Sequence, residues 1–197
     1  MRVTKAGKMQ RLNSEVEELC PAKHEFVDAH ASNWFDKAMS LTTHYFEWMD
    51  QEIRTTCGFS IPDIVGMPLP AYIQSVADTI CPNVPNESIY YLLVVDEVAI
   101  GMGGLRRLSQ DCAEVVRIYL DPKYRGFGYG SKIVERLIED ARQFGYVRLY
   151  LDTGEFMKSA HRVYESYGFE VCAPYEGAEP PKELYPYWRF MVRSLVD

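Results

Sequence analysis

The residues that bear most directly on chemistry are Arg125-Gly126-Phe127-Gly128-Tyr129-Gly130-Ser131. Alternating glycines beside a fixed positive charge suit an anion. Glycines remove the side chains that would hold a phosphate off the backbone, and arginine sets a guanidinium at the loop entrance. The flanking elements strengthen this reading. Ala113 to Leu120 is rich in β-branched and aromatic residues and predicts a buried strand, which Pro122 ends. Ser131 to Phe144 has apolar residues at 133, 134, 137, 138, 141 and 144, the spacing of one helical face, with Gly145 as its stop. A glycine loop that opens a helix presents first-turn amides with no internal partner, and the helix dipole adds positive potential there. The predicted chemistry is the binding of a pyrophosphate.

The loop is not a Walker loop, because no Gly-Lys-Ser/Thr follows, and it lacks the Gly-x-Gly-x-x-Gly spacing of dinucleotide folds. It resembles motif A of the GNAT superfamily of N-acetyltransferases, Arg/Gln-x-x-Gly-x-Gly/Ala, with Arg125, Gly128 and Gly130 in the three positions. Downstream, Val163-Tyr164-Glu165-Ser166-Tyr167-Gly168-Phe169 resembles the superfamily's second signature, a helix ending in Tyr-x-x-x-Gly-Phe. Two ordered signatures are far more specific than either alone. The matching region runs roughly from Ile89 to Val192.

The resemblance implies an α/β (α+β) fold. Its centre is a mixed, mostly antiparallel sheet with one parallel, splayed strand pair, flanked by helices. It also implies acetyl-CoA as co-substrate and a primary amine as acceptor, with direct attack in a ternary complex. A small-molecule amine is expected, since no basic or repetitive docking surface is evident. A protein lysine or N-terminal acetyltransferase and a non-catalytic acyl-CoA sensor are the alternatives.

By the same resemblance, Arg125 and the amides of Gly126, Phe127, Gly128, Tyr129, Gly130 and Ser131 hold the coenzyme diphosphate. The backbone of Ile118, Tyr119 and Leu120 holds the pantetheine like an added strand. Tyr164 is the expected proton donor to the leaving thiolate, because a phenol with a pKa near ~10 is still protonated at neutral pH. Glu114 resembles the catalytic glutamate of the histone acetyltransferase branch, where a partly buried carboxylate acts as base. Its alternative is an ion pair with Arg117 or Arg148, and Asp152 is a second carboxylate candidate. Met157 stands where many members carry a coenzyme-contacting asparagine. His161 reads as a solvated helix residue.

Ahead of this region, residues 1–22 read as a weakly ordered arm and 23–197 as one domain. A short strand is expected around Phe26-Val27. Asn33 to Thr56 predicts a long amphipathic helix, capped by Ser32 or Asn33 and ended by Gly58. Ser60 to Pro68 reads as a connector, and Ala71 to Ile80 as a second, short helix with Pro70 at its start. Tyr45, Trp48, Glu52 and Tyr72 are candidates for the acceptor wall.

Ile89 to Val95 and Val98 to Arg106 predict a hairpin turning at Asp96-Glu97. Gly101, Gly103 and Gly104 in its second arm suggest a bulge or a close approach. Val147 to Leu151 predicts a strand parallel to the central one. Glu155 to Tyr167 predicts a helix, and Phe169 to Cys172 and Tyr187 to Arg193 a last strand pair. The proline- and tyrosine-rich connection between that pair is long enough to suggest a function.

Composition excludes several classes. A net charge of −7 argues against nucleic acid as a partner. The five cysteines are scattered and the four histidines form no ligand spacing, so neither a disulfide framework nor a metal site is expected. With no leader-type segment and no long apolar run, a reducing cytoplasmic compartment and no membrane contact are expected. Members of the superfamily are often dimers, which makes a homodimer an expectation.

Overall fold

A computed structural model describes residues 23–77 and 83–196. The strands are β1 (His24–Asp28), β2 (Ile89–Val95), β3 (Val98–Arg107), β4 (Cys112–Leu120), β5 (Arg148–Gly154), β6 (Glu170–Cys172) and β7 (Trp188–Ser194). They form one sheet in the order β1-β2-β3-β4-β5-β7-β6. Every pairing is antiparallel except β4–β5. The helices are α1 (Phe35–Cys57), α2 (Ile61–Val65), α3 (Leu69–Ala77), α4 (Tyr129–Gln143) and α5 (Lys158–Ser166). Among the described residues, no helix is long and apolar enough to cross a membrane.

Strand alternation sorts the core into two layers. On one face, Ala113, Val115, Leu149 and Leu151 meet Ile133, Val134, Leu137, Ile138 and Ala141 of α4, with Tyr164 and Phe169 beside them. On the other face, Leu92, Met102, Val116 and Tyr119 pack against Ala38 and Leu41 of α1. Further along α1, Phe46, Met49 and Ile53 join Ile61, Ile73, Leu184, Trp188 and Phe190.

The β2–β3 hairpin turns where expected, with Asp96 and Glu97 both at positive φ, the two-residue turn that matches strand twist. The glycines of β3 mark close approaches by the chain itself. A Cβ on Gly103 would lie 2.7 Å from Ile133 of α4, and one on Gly104 2.3 Å from the Tyr90 ring. Their absence lets helix and sheet close together.

Other expectations need correction. The N-cap of α1 is Trp34, without a side-chain bond, rather than Ser32 or Asn33. The chain first winds through a turn at Ala31, whose carbonyl accepts from the amides of Trp34 and Phe35. The stretch expected as a connector contains α2, closed by a capping box in which the Ser60 hydroxyl accepts from the Asp63 amide and the Asp63 carboxylate from the Ser60 amide. Helix α3 begins at Leu69, ahead of the expected Ala71. Its expected end at residues 78–80, the arm at 1–22, Cys20 and Cys81 lie outside the described residues. His161 is buried, not solvated, and its Nε2 sits 3.1 Å from the Gly154 carbonyl.

Candidate active site

The site is built where β4 and β5 part. Their parallel ladder runs from Cys112↔Arg148 to Val115↔Leu151 and stops, although β4 continues to Leu120 and β5 to Gly154. A bulge begins the parting. Met102 pairs with Tyr119 and Gly104 with Val116, so Arg117 and Ile118 stand against Gly103 alone. Arg117 takes φ 52°, a left-handed conformation that costs a non-glycine residue about 1–2 kcal/mol. The β3 edge of β4 stays paired, while the edge facing β5 is left open over Ile118–Leu120.

Beyond Leu120 lies the glycine loop. Gly126 and Gly128 have φ +87° and +81°, and Gly128 caps α4 with no side-chain bond. A Cβ built on Gly126, Gly128 or Gly130 would meet no protein atom within 4 Å, so the loop's face is open. The first bond within the helix is from the Lys132 amide to the Gly128 carbonyl, which leaves the amides just before it without an intrahelical acceptor. Arg125 is braced rather than free. Its Nε donates to the Leu120 carbonyl at 3.1 Å, and its guanidinium lies 5.6 Å from the Trp48 ring centroid and 5.9 Å from that of Tyr119. Open glycine faces, an uncapped helix start and a braced guanidinium fit a diphosphate.

At the other end, the parted strands enclose a cleft lined by Tyr45 and Met49 of α1, Arg117 and Ile118 of β4, Asp152 and Thr153 of β5, Met157, Tyr164 and Trp188. Two ionisable groups there are raised by their surroundings. Burial, then the charges of Glu114 and Glu179, push the Asp152 carboxyl up to about 8. Burial first, and the Asp152 charge second, raise the Tyr164 phenol well above its ordinary range. Asp152 Oδ1 accepts from Trp188 Nε1 at 2.8 Å. The Thr153 hydroxyl donates to Met157 Sδ at 3.3 Å, which fixes the methionine against the cleft.

The sequence profile of the Acetyltransferase (GNAT) family matches residues 67–169, which contain the parted strands, the glycine loop and Tyr164. The chain belongs to the GNAT acetyltransferase family. The GNAT match starts and ends earlier than the Ile89–Val192 span read from the motifs. Among curated relatives, the uncharacterized N-acetyltransferase YjgM of Escherichia coli is 34% identical over 84 residues, which are 41% of this chain and 50% of that protein. The chain spans about half the length of the curated relatives it matches. Two solved structures share the GNAT fold over nearly their whole length. An acetyltransferase from Streptococcus agalactiae superposes with TM-score 0.63 at 19% identity, covering 87% of this chain and 98% of that one. The PaiA N-acetyltransferase of Thermoplasma acidophilum, solved with coenzyme A, does so with TM-score 0.63 at 13% identity, covering 87% and 99%.

Within this GNAT fold the residues named from sequence fall into two groups. Arg125 to Ser131 form the open loop, and Ile118 to Leu120 the open strand edge. The side chains of Tyr119 and Tyr129 are buried, so what those two residues offer is backbone. Tyr164 lines the cleft. Glu114 does not. It is fully buried, with Oε2 bound by Arg106 at 2.5 Å and Oε1 by the Tyr175 hydroxyl at 2.5 Å. Its partner is the residue directly across the β3–β4 ladder, neither Arg117 nor Arg148. Of the four expected acceptor-wall residues, Tyr45 lines the cleft. Trp48 instead donates to Glu52 and supports Arg125, and Tyr72 packs on Phe46. Arg117 and Trp188 were not expected in the site. A lone charge within Val-Val-Arg-Ile-Tyr-Leu was the signal for the first. Trp188 carries no local mark.

Proposed function

We propose that this protein transfers the acetyl group of acetyl-CoA to a primary amine of a small molecule, by direct attack while both substrates are bound. The observation that carries this reading is the parting of β4 and β5, which joins the open glycine loop to a cleft holding Asp152 and Tyr164. The loop amides and Arg125 hold the diphosphate, and the free edge of Ile118–Leu120 aligns the pantetheine. Acetyl-CoA supplies an acyl carbon open to attack and a thiolate that leaves.

The chain's own part is proton handling. Asp152 takes the proton that the amine releases as its nitrogen bonds the acyl carbon. Tyr164, kept protonated by burial, gives its proton to the sulfur as the carbon–sulfur bond breaks. With a carboxyl pushed up to about 8, Asp152 is a far better proton acceptor than an ordinary aspartate. Glu114 acts through Asp152, as the buried charge that helps raise it. Arg117 of the cleft wall is tied at 3.0 Å to Glu179, which anchors the connection between β6 and β7 beside the cleft and supports a compact acceptor.

The test is release of free thiol from acetyl-CoA across a library of small amines and lysine peptides. Acceptor-dependent release with small amines supports the reading. Release with peptides alone would reassign the acceptor, and tight coenzyme A binding with no release from any acceptor would make the chain a sensor.

A further inference from the structure

Arg117 presents two unfavourable features at one residue. Its backbone is held at φ 52°, and its side chain, 9% exposed, places a charge inside an apolar strand. One edge of the guanidinium is satisfied, since Nη2 donates to Glu179 Oε1 at 3.0 Å. The plane also rests on Phe46, 5.5 Å from the ring centroid. The other edge is not. Nη1 is buried and meets no hydrogen-bond partner among the described residues, and Arg117 lines the cleft that holds Asp152. A buried charged donor without an acceptor is strongly disfavoured unless something supplies one. Here the bulge that creates the cleft is also what sets this donor in its wall.

The missing acceptor has a definite chemistry. A guanidinium edge matches the planar, doubly accepting carboxylate, and the carboxylate is smaller than the phosphate it matches as well. Glu179 meets the guanidinium through Nη2 alone, so the donors of Nη1 stay available to a second acceptor. Apart from Asp152 and Thr153, the rest of the lining, including Tyr45, Met49, Met157 and Trp188, is apolar or aromatic and suits a hydrocarbon body. Resting on the transferase reading above, we propose that Arg117 Nη1 binds a carboxylate of the acceptor, so that the substrate is an amino acid whose amine is turned toward Asp152. Arg117 is thereby the specificity-determining residue.

The experiment compares the twenty L-amino acids, their amides and the matching amines lacking the carboxyl group, each with acetyl-CoA. The wild type, Arg117→Gln and Arg117→Lys are assayed in parallel. The expected result is at least one amino acid with kcat/KM about tenfold or more above its amide and amine. Arg117→Gln should raise KM for that acid and level the ratio to within about threefold, while Arg117→Lys keeps part of the preference. Amides and amines used as well as the acids, or a preference intact in Arg117→Gln, would overturn the proposal. Calorimetry of the same amino acids against protein saturated with coenzyme A separates the two readings. Failure to bind coenzyme A at all removes the transferase reading, whereas coenzyme A binding without any amino acid binding removes this one.

Discussion

Trp188 Nε1 donates to Asp152 Oδ1 across 2.8 Å, from the first residue of β7 to a residue near the end of β5. The bond ties the cleft's carboxylate to the strand beside it and leaves its other oxygen for a ligand. It also lowers the carboxyl's pKa, against a larger upward push from burial. Asp152 is therefore held in place by one neighbour and kept basic by its surroundings.

Replacing Asp152 with Asn preserves the tryptophan's acceptor and removes the proposed base. Turnover should fall about a hundredfold with little change in coenzyme affinity, as read by steady-state thiol release and calorimetry. Wild-type turnover would exclude Asp152 as base.

The same variant should be stabilised in a pH-dependent way. The folded Asp152 carboxyl stays protonated up to about 8, while in the unfolded chain it ionises near ~4. Over that window the fold holds the extra proton, so wild-type stability falls as pH rises through it. The advantage of Asp152→Asn should grow by up to ~1.4 kcal/mol per pH unit and level off above about pH 8. Denaturant melts at pH 5, 6.5 and 8 check this, and a difference independent of pH would contradict it.

Glu114→Gln removes one of the charges that raise Asp152. The rising limb of the pH–rate profile should then move to lower pH, and the melting temperature should drop because Arg106 loses its buried partner. A lost activity with no displaced limb would instead make Glu114 the base itself.

At Gly130, φ is not in the left-handed range, and an added Cβ meets no protein atom within 4 Å. Gly130→Ala should keep or slightly raise the melting temperature, since alanine favours the helix by up to ~1 kcal/mol. Larger Gly130→Val should lower acetyl-CoA affinity about tenfold or more. Unchanged affinity would place the diphosphate elsewhere.

Tyr164→Phe keeps the ring that packs edge-on against Phe169, 6.0 Å between centroids, and removes only the proton. Turnover should fall by about tenfold or more while coenzyme affinity holds. Full turnover would leave the thiolate to take its proton from another group.

Most of the architecture was legible because it rests on periodicity. The spacing in α4, the β2–β3 hairpin and the strand–helix–strand order across the parallel pair all follow from local pattern. Helix α2 was signalled by Ser60 and Asp63 at capping-box spacing, yet Pro62, Gly66 and Pro68 read more strongly as a connector. The glycine loop was legible as a local motif. The state of Glu114 was not, because its partners are Arg106, set by hairpin register, and Tyr175, set by how the late loop folds back. The same holds for Asp152. Its position on β5 was readable, whereas its basicity comes from Glu114, Glu179 and burial, which only the assembled fold brings to it.

The extra residue in β4 shifts the register by one between Gly104↔Val116 and Met102↔Tyr119, yet β4 stays paired with β3 on both sides of it. Inward and outward order also resumes at once, with Val116 and Tyr119 against α1 and Ile118 and Leu120 against α4. The inserted position thus belongs to neither layer's repeat. Selection can exchange what stands there, and with it, on the reading proposed for Arg117, the choice of acceptor, while the strand pairing on either side goes on.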